Sequence, residues 1–224
     1  MQLEILFEDY YIALINKPVG LMVEADDFGN PSVEEEFYHH LRAKFPNHKE
    51  HYIGFPHRLD RVTQGLLLIA KTKAALTHLN KQLEEHKVSK IYCALVEQAP
   101  PHKNGKLKHF LKKDNKHRKA IISKKLQVDF KPCELAYELV GKTAKDFTLL
   151  KIELLTGRFH QIRAQLAYEK MPVVGDALYG STMPYNPNSV ALIAHQLLFK
   201  HPKTNEEMIF EVPLPANNFW KIQG

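Results

Sequence analysis

A group of polar side chains stands directly before the most apolar run of the chain, in the segment HRLDRVTQGLLLIAKT. The group is His57, Arg58, Asp60 and Arg61, and the apolar run is Leu66–Ala70. Such a run predicts a buried strand, and charges beside a core cost free energy unless they are paired. Asp60 is therefore either a turn residue, as aspartates before strands usually are, or a carboxylate placed for chemistry.

Two more polar residues lie inside predicted apolar elements, Tyr92 in a strand and Arg163 in a helix. Each has an ordinary explanation, because strand tyrosines are usually packed and helical arginines usually extend to water. Combined with Asp60 they suggest a site. An arginine can keep a partly buried carboxylate ionised and oriented, and a tyrosine can stack on a nucleobase or carry a proton. The set is typical of chemistry on a base in RNA.

Positive charge is concentrated in one segment. Residues 102–125, the basic segment, contain nine Lys and one Arg against one acid and so carry +9, which leaves −3 for the rest of a chain whose total is +6. A basic block on an acidic body indicates a polyanionic partner, although lysine-rich hairpins also serve solubility alone. The charge pattern by itself leaves both interpretations open.

Composition and missing motifs argue against several other classes. The chain has 224 residues, of which 44% are apolar and 25% charged, as in soluble globular proteins. No apolar run could cross a bilayer, and the N-terminus lacks the positive region of a signal peptide, so we predict a cytoplasmic protein without a membrane partner. Cys93 and Cys133 have neither disulfide-framework nor zinc spacing. The GKT at Gly141 lacks the earlier glycine of a phosphate loop, because Ala136 stands there. HExxH and GxSxG are also absent from the sequence, so we expect neither a metal site nor a serine hydrolase.

The order of predicted elements favours an α+β fold with a largely antiparallel sheet. Ser32 with Glu35 predicts a capping box that starts a first helix, and Thr72 can cap a second. Strands are predicted at LEILF and YIALIN, which form a hairpin, and at GLLLIA, SKIYCALVE, ELAYELVG, DFTLLKIELLTG, SVALIAHQLLFKHP and EMIFEVPLP.

The C-terminal half carries three further local predictions. RFHQIRAQLAYEK is expected to form a third helix with Phe159, Ile162 and Leu166 on one face. Gly141 is expected in the turn between two strands. The basic segment is expected to form a hairpin or a loop.

Five segments resemble, in order, the motifs of the RluA-type pseudouridine synthase family. HRLDRVTQGLLLIAKT is similar to the family's central HRLD-x-x-T-S-G-L. The other four are NKPVGLMV (16–23), similar to NKP-x-G-L-x-V; KIYCALV (90–96), similar to K-x-Y-x-A-L-V; GRFHQIR (157–163), similar to GR-x-HQIR; and PVVGDALYG (172–180), similar to P-I-x-GD-x-x-YG. One such match would be moderately specific, whereas five in register are highly specific.

The resemblance implies a fold and a domain organisation. The pseudouridine synthase fold is a largely antiparallel mixed sheet flanked by helices and loops, with a catalytic cleft across the sheet. We expect one catalytic domain over residues 1–224, with a basic insertion at about 102–125, and a monomer. The motif NKP begins at Asn16, which implies a short form without the accessory RNA-binding domain of many relatives.

The resemblance also implies a reaction. Such enzymes isomerise specific uridines of structured RNA, either ribosomal or transfer RNA, to pseudouridine without a cofactor. Asp60 is then the catalytic aspartate, and it could attack ribose C1′, add to C6 of the base or abstract a ribose proton. Arg163 is expected to be its ion-pair partner, and Tyr92 is expected to stack on the base.

Further residues are expected to bind the substrate. Arg58 would fill the space left by the flipped-out nucleotide, whose extrusion costs roughly a few kcal/mol, and the basic segment would bind phosphates. The full predicted set is His57, Arg58, Arg61, Thr63, Gly157, Arg158, His160, Gln161, Lys112, Lys113 and Arg118.

Three positions depart from the family pattern. Gln64 replaces the usual Ser, while Phe159 and Gln165 replace common Thr and His residues. These changes bear on the substrate more than on the reaction.

Two other functions have less support from the sequence. A non-catalytic RNA-binding module would be indicated by loss of a catalytic residue, yet Asp60, Tyr92 and Arg163 are all present. A glycosidase of nucleosides or sugars would usually need two working carboxylates, and this site supplies one.

Overall fold

The computed structural model describes residues 3–48 and 50–223, which form ten strands, three α-helices and one short 3-10 turn. None of the described helices is long and apolar enough to span a membrane. The elements in chain order are β1 (Glu4–Glu8), β2 (Ile12–Lys17), α1 (Val33–Lys44), β3 (Gln64–Ala70), α2 (Lys73–Glu84), β4 (Ser89–Val96), β5 (Asn104–Asp114), β6 (Lys119–Ser123), β7 (Lys131–Lys142), β8 (Thr148–Leu154), α3 (Gln161–Tyr168), the 3-10 turn (Ala177–Tyr179), β9 (Leu192–Lys200) and β10 (Glu207–Glu211).

The chain divides into two compact units. The first unit is Met1–Ser89 with Ala194–Val212, and the second is Lys90–Ile193 with Pro213–Gly224. Each unit combines strands with helix. The pairs β1–β2, β2–β3 and β9–β10 of the first unit and β4–β8, β7–β8, β5–β7 and β5–β6 of the second are antiparallel. The predicted α+β class with a largely antiparallel sheet is therefore confirmed, whereas the single catalytic domain over residues 1–224 stays a prediction.

In the first unit, β3 lies between β2 and β9, with β1 and β10 outside them. All five side chains of Leu66–Ala70 are buried, so both faces of β3 are covered, and a strand covered on both faces needs no polar alternation. Leu67 of β3 pairs with Ile15 of β2, and both side chains are fully buried. The two predicted helix starts are confirmed: Ser32 Oγ accepts the Glu35 N–H at 3.2 Å, and Thr72 Oγ1 accepts the Ala75 N–H at 3.1 Å.

In the second unit the strands follow the order β4-β8-β7-β5-β6. The basic segment forms the antiparallel hairpin β5–β6, which makes up the last two strands of this order. We call these two strands and their turn, residues 104–123, the basic hairpin. The expectation that the basic segment forms a hairpin or a loop excursion is therefore confirmed as a hairpin.

Two local predictions in the second unit are wrong. Gly141 is not in the turn; it lies within β7 at a register shift after Leu139, and the chain reverses where the Thr143 N–H donates to the Phe147 carbonyl at 2.8 Å. The third helix begins at Gln161 rather than near Arg158, because the residue before it, His160, is left-handed with φ of 50°. Phe159 therefore precedes the helix instead of extending its apolar face.

Candidate active site

The loop that carries Asp60, residues 57–63, is anchored by its own backbone and by two buried neighbours. The Thr63 N–H donates to the Asp60 carbonyl at 3.0 Å and closes a turn. Leu59 and Thr63 are buried, whereas Asp60 between them is only half-buried. The turn therefore holds the Asp60 backbone firmly and leaves part of its side chain accessible.

His57 and Gly65 fix this loop to β3. The Leu68 N–H donates to His57 Nε2 at 3.1 Å, which places the proton of a neutral His57 ring on Nδ1. Gly65 has φ of 115°, and a Cβ there would lie 2.3 Å from the Ala194 carbonyl oxygen of β9. Only glycine allows this approach, so the second residue of β3 must be a glycine.

The NKPVG segment packs directly against the Asp60 loop. The Gly20 N–H donates to the Arg61 carbonyl at 2.8 Å, and Arg61 Nε donates to the Gly20 carbonyl at 2.9 Å. Lys17, at the end of β2, is fully buried and its Nζ donates to the carbonyls of Pro18 and Leu21 at 2.9 and 2.8 Å. Burial lowers the pKa of Lys17 to about 8, while the negative charge of Asp60 acts in the opposite direction.

Lys17 is thus a cation near Asp60 that sequence reasoning missed. Its only sequence signal is its place in NKP, since a lysine at a strand end ordinarily extends to water. Its structural role is visible from its contacts, because its ammonium closes the turn that packs on Arg61.

Arg58 lies on the outside of the same loop. Its side chain is 71% exposed, and its Nη1 pairs with Glu24 Oε2 at 2.9 Å. A pair this exposed contributes little free energy in water, so Arg58 can exchange Glu24 for another partner at little cost. That freedom suits the predicted role of Arg58 beside an extruded nucleotide, which stays a prediction.

Tyr92 lies in β4 of the second unit, where it is buried and pairs with Ile152 of β8. Lys90, two residues earlier, is on the same strand, and burial lowers its pKa. A Cβ added to Gly157 would lie 3.5 Å from Lys90 Nζ, so this glycine of the GRFHQIR segment stands beside the lysine of KIYCALV. The two motifs therefore meet within this unit.

Arg163 lies in α3 and is held by Asp176. Arg163 Nε donates to Asp176 Oδ2 at 2.6 Å, and Arg163 Nη2 donates to Asp176 Oδ1 at 2.9 Å. Both side chains are buried, 5% and 2% exposed. The helix is buried all along residues 161–166, which is why Arg163 does not extend to water as a surface arginine would.

Asp176 is a second residue that sequence reasoning missed, although it stands in the GD of PVVGDALYG. The predicted pairing of Arg163 with Asp60 joins residues of two different units and stays a prediction. A guanidinium has five N–H donors, so two bonds to Asp176 leave capacity for a further acceptor.

Gln161 organises the turn that leads into α3. Its Oε1 accepts the Arg158 N–H at 3.0 Å and the Thr156 hydroxyl at 2.8 Å, and its Nε2 donates to the Glu134 carbonyl at 3.1 Å. Gln161 is buried, whereas Gly157 and Arg158 are exposed. Gln161 thus supports the backbone, and the predicted substrate contacts of its exposed neighbours remain untested.

The basic hairpin places its charges in two different settings. Lys112 pairs with Asp129 at 2.9 Å, and Lys113 Nζ lies 4.9 Å from the centre of the Phe159 ring. At the tip, Lys116, Arg118 and Lys119 have no carboxylate within ion-pair distance among the residues that the structure describes. The tip therefore carries three cations without an ion pair in the described part of the chain, although Asp114, the one acid of the segment, lies beside them and pairs in register with Lys119.

Within residues 3–48 and 50–223, no group of three or more His, Cys, Asp or Glu side chains is placed to hold a metal ion.

Comparisons with known proteins show what this chain is similar to. The model of a family described as RNA pseudouridylate synthase matches residues 11–168. Ribosomal large subunit pseudouridine synthase C of Buchnera aphidicola subsp. Baizongia pistaciae is 34% identical over 218 residues, which cover 94% of this chain and 66% of that protein. An uncharacterized RNA pseudouridine synthase of Bacillus subtilis, YlyB, is 32% identical over 218 residues, covering 97% and 71%. The chain thus spans about two thirds of the length of such curated relatives.

Two solved structures share the fold. Human RNA Pseudouridylate Synthase Domain Containing 4 superposes with a TM-score of 0.77 at 20% identity, covering 95% of this chain and 89% of that one. Human RNA Pseudouridylate Synthase Domain Containing 1 gives a TM-score of 0.73 at 24% identity, covering 95% and 83%. At these identities the likeness concerns the fold alone, and it confirms the fold that the sequence motifs implied.

Proposed function

Because the chain belongs to the RNA pseudouridylate synthase family, we propose that it isomerises uridine to pseudouridine in RNA with Asp60 as the catalytic carboxylate. The observation that carries this proposal is the family match over residues 11–168, which contains Asp60, Tyr92 and Arg163. The reaction breaks the C1′–N1 bond, forms a C1′–C5 bond, removes the proton from C5 and protonates N1. Product and substrate contain the same atoms, so no oxidant, reductant or group donor is required.

Asp60 is suited to this role by its surroundings in the first unit. Its backbone is fixed by the Thr63 turn, and its side chain is half-buried with the Lys17 ammonium nearby. Attack at ribose C1′, addition at C6 and abstraction of a ribose proton all begin from an ionised carboxylate. The attraction between the Lys17 ammonium and the Asp60 carboxylate restricts where the carboxylate points.

The other two catalytic residues are proposed on their motif positions. Tyr92 would stack on the uracil ring, and its hydroxyl could move a proton. Arg163, already oriented by Asp176, would donate remaining N–H groups to Asp60. In this proposal the two units form a single catalytic domain, which acts as a monomer in the cytoplasm.

The proposed substrate is RNA of the large ribosomal subunit. One support is that the Buchnera relative is a ribosomal large subunit pseudouridine synthase. The other is the basic hairpin, whose exposed tip suits a phosphate backbone. Arg58, with its exposed pair to Glu24, would replace the extruded nucleotide in the stack. Transfer RNA is the alternative substrate.

The experiment is pseudouridine mapping by carbodiimide modification and primer extension. The purified chain is incubated with unmodified transcripts of large-subunit ribosomal RNA and of transfer RNA, and RNA affinity is measured in parallel by filter binding. We expect pseudouridine at specific ribosomal positions, its loss in Asp60→Asn, and unchanged affinity in that variant. Asp27→Asn, an exposed aspartate of the same unit, is the matched control and should behave as wild type.

Each other outcome points to a different error. An active Asp60→Asn variant would refute the catalytic assignment of Asp60. Pseudouridine formed in transfer RNA alone would show that transfer RNA, and not ribosomal RNA, is the substrate. RNA binding without product in either transcript would favour the non-catalytic RNA-binding module.

A further inference from the structure

A four-residue segment, Asp176–Tyr179, holds Arg163 from two sides. The Asp176 carboxylate accepts two N–H bonds from the guanidinium, and the centre of the Tyr179 ring lies 5.2 Å from Arg163 Cζ. The Tyr179 N–H donates to the Asp176 carbonyl at 3.0 Å, so the 3-10 turn fixes the carboxylate relative to the ring. The Asp176 carboxylate thereby binds the edge of the guanidinium through hydrogen bonds, and the Tyr179 ring contacts it through a cation–π interaction.

The hydroxyl of the same tyrosine is bound to the basic hairpin. Tyr179 Oη accepts the Ala120 N–H at 2.7 Å. Ala120 is in β6, the last strand of the second unit's order, and it pairs with Lys113 of β5. The outer side of a last strand exposes N–H groups that have no ladder partner, and Tyr179 supplies an acceptor for this one.

His160 completes the connection to α3. Its Nδ1 lies 3.1 Å from Tyr179 Oη, and its ring is stacked on Phe159 with centroids 3.8 Å apart. Phe159 in turn lies beneath Lys113 of β5. Leu111, Ala120 and Ala164 form a buried apolar cluster against which Tyr179 and Phe159 pack. The Tyr179 ring therefore packs against buried side chains and has little freedom to move.

From this arrangement we propose that Tyr179 is a positioning residue that joins the basic hairpin to Arg163. The Tyr179 ring contacts the guanidinium through its face and β6 through its hydroxyl. The position of the basic hairpin relative to the Arg163 side chain is thereby fixed. RNA bound by the hairpin then presents its target uridine at a defined place relative to Arg163. This inference rests on the proposed function, in which the hairpin binds RNA and Arg163 acts in the site.

The chemistry predicts which measured quantity changes. RNA affinity comes from phosphate contacts of the lysines, and Tyr179 supplies none of them. Catalysis depends on placing reacting groups within about 1 Å, since an error of that size can cost about 100-fold in rate. Loss of the Tyr179 hydroxyl should therefore reduce the rate at saturating RNA and leave affinity and its salt dependence unchanged.

The test compares three variants under single-turnover conditions with the ribosomal transcript. Tyr179→Phe keeps the ring beneath Arg163 and removes the acceptor for Ala120. Ala120→Pro removes the donor instead, at a position whose N–H points away from β5 and where an edge strand can accept proline. Tyr137→Phe is the control, because Tyr137 is buried against Gly105 of the same hairpin and its hydroxyl makes no hydrogen bond in the part of the chain that the structure describes.

We expect Tyr179→Phe and Ala120→Pro each to lower the rate about 10- to 100-fold, and their combination to lower it no further than Tyr179→Phe alone, which already removes the contacts of the hydroxyl with both Ala120 and His160. Tyr137→Phe should stay within about twofold of wild type. The proposal would be overturned if the fold-reduction in the double variant equalled the product of the two single reductions. It would also be overturned if Tyr179→Phe reacted as fast as wild type. Reduced affinity at an unchanged rate would also overturn it, by showing that the hydroxyl serves binding.

A structural measurement separates this proposal from the function on which it rests. Amide exchange at Ala120, followed by NMR, should be faster in Tyr179→Phe than in wild type and unchanged in Tyr137→Phe. Unchanged exchange at Ala120 would refute the link even if the enzyme is active. Faster exchange in a protein that makes no pseudouridine would instead refute the proposed function and leave the link intact. If Tyr179→Phe does not fold, Ala120→Pro alone carries the kinetic comparison.

Discussion

Arg163 and Asp176 form a buried, two-bond ion pair, with Nε–Oδ2 at 2.6 Å and Nη2–Oδ1 at 2.9 Å. The pair connects the GRFHQIR segment to the PVVGDALYG segment within the second unit. It means that the orientation of the arginine is set before any substrate arrives. The residue expected to assist Asp60 is therefore itself held by a carboxylate thirteen positions along the chain.

The stability of this pair can be measured by a double-mutant cycle. Asp176→Asn or Arg163→Met leaves one buried charge without its partner, so each should lower the free energy of unfolding by about 3–5 kcal/mol. The double variant should lose less than the sum, by about 1–3 kcal/mol. Urea unfolding checks this, with Lys142→Gln and Asp146→Asn as the control pair, because that pair is exposed and its coupling should stay below about 1 kcal/mol. Additive losses at Arg163 and Asp176 would contradict the expectation.

Local signals predicted most of the fold because they act over a few residues. Ser32 and Thr72 cap their helices, and the apolar run after Gly65 is a buried strand. The sequence predicts the start of α3 too early, because His160 adopts a left-handed conformation that the apolar pattern does not indicate. Gly141 was assigned to a turn, whereas it accommodates a register shift inside β7.

The contacts that surround the site residues cannot be predicted from the sequence where tertiary packing decides them. Asp60 and Arg163 could be selected as polar residues beside apolar runs, but their neighbours could not. The bond from Asp176 to Arg163 depends on how the 3-10 turn folds back on α3. The burial of Lys17 depends on a turn that closes over its ammonium. Neither contact has a spacing that a helix or strand period would reveal.

The tip of the basic hairpin should account for part of the salt dependence of RNA binding. Replacing Lys116, Arg118 and Lys119 by Gln removes three positive charges that have no acidic partner among the described residues. If each contacts a phosphate, the slope of log affinity against log salt becomes shallower by about 2–3. Filter binding from low to high salt measures the slope.

The control for the hairpin variant removes the same charge elsewhere. Lys73, Lys81 and Lys87 are exposed lysines of the first unit, in and just after α2. Their replacement by Gln should leave the slope within about 0.5 of wild type. Equal slopes for both triple variants would show that the hairpin charge serves solubility and not RNA binding.

Gly65 should tolerate no side chain. A Cβ there would lie 2.3 Å from the Ala194 carbonyl oxygen and 2.7 Å from its nitrogen, and both neighbours are backbone. Gly65→Ala should therefore lower the free energy of unfolding by more than about 3 kcal/mol or prevent folding. Gly20→Ala is the matched control, because Gly20 also has a positive φ but nothing lies within 4 Å of its Cβ position; it should lose only about 1–2 kcal/mol in chemical denaturation. Equal losses would show that the approach to Ala194 can relax.

Lys17 should make stability rise with pH in the alkaline range. Burial lowers its pKa from 10.5 to about 8 despite the opposing charge of Asp60, so between these values the unfolded chain holds a proton that the folded chain has released. The free energy of unfolding then increases with pH, by about 3 kcal/mol in total from this residue. The difference between wild type and Lys17→Met should therefore shift in favour of wild type by about 2 kcal/mol from pH 8 to 9.5, as urea unfolding measures it. Lys73→Met, which replaces an exposed lysine of the same unit, is the control for loss of a lysine. A constant difference between wild type and Lys17→Met would mean that the Lys17 ammonium keeps its proton in the folded chain.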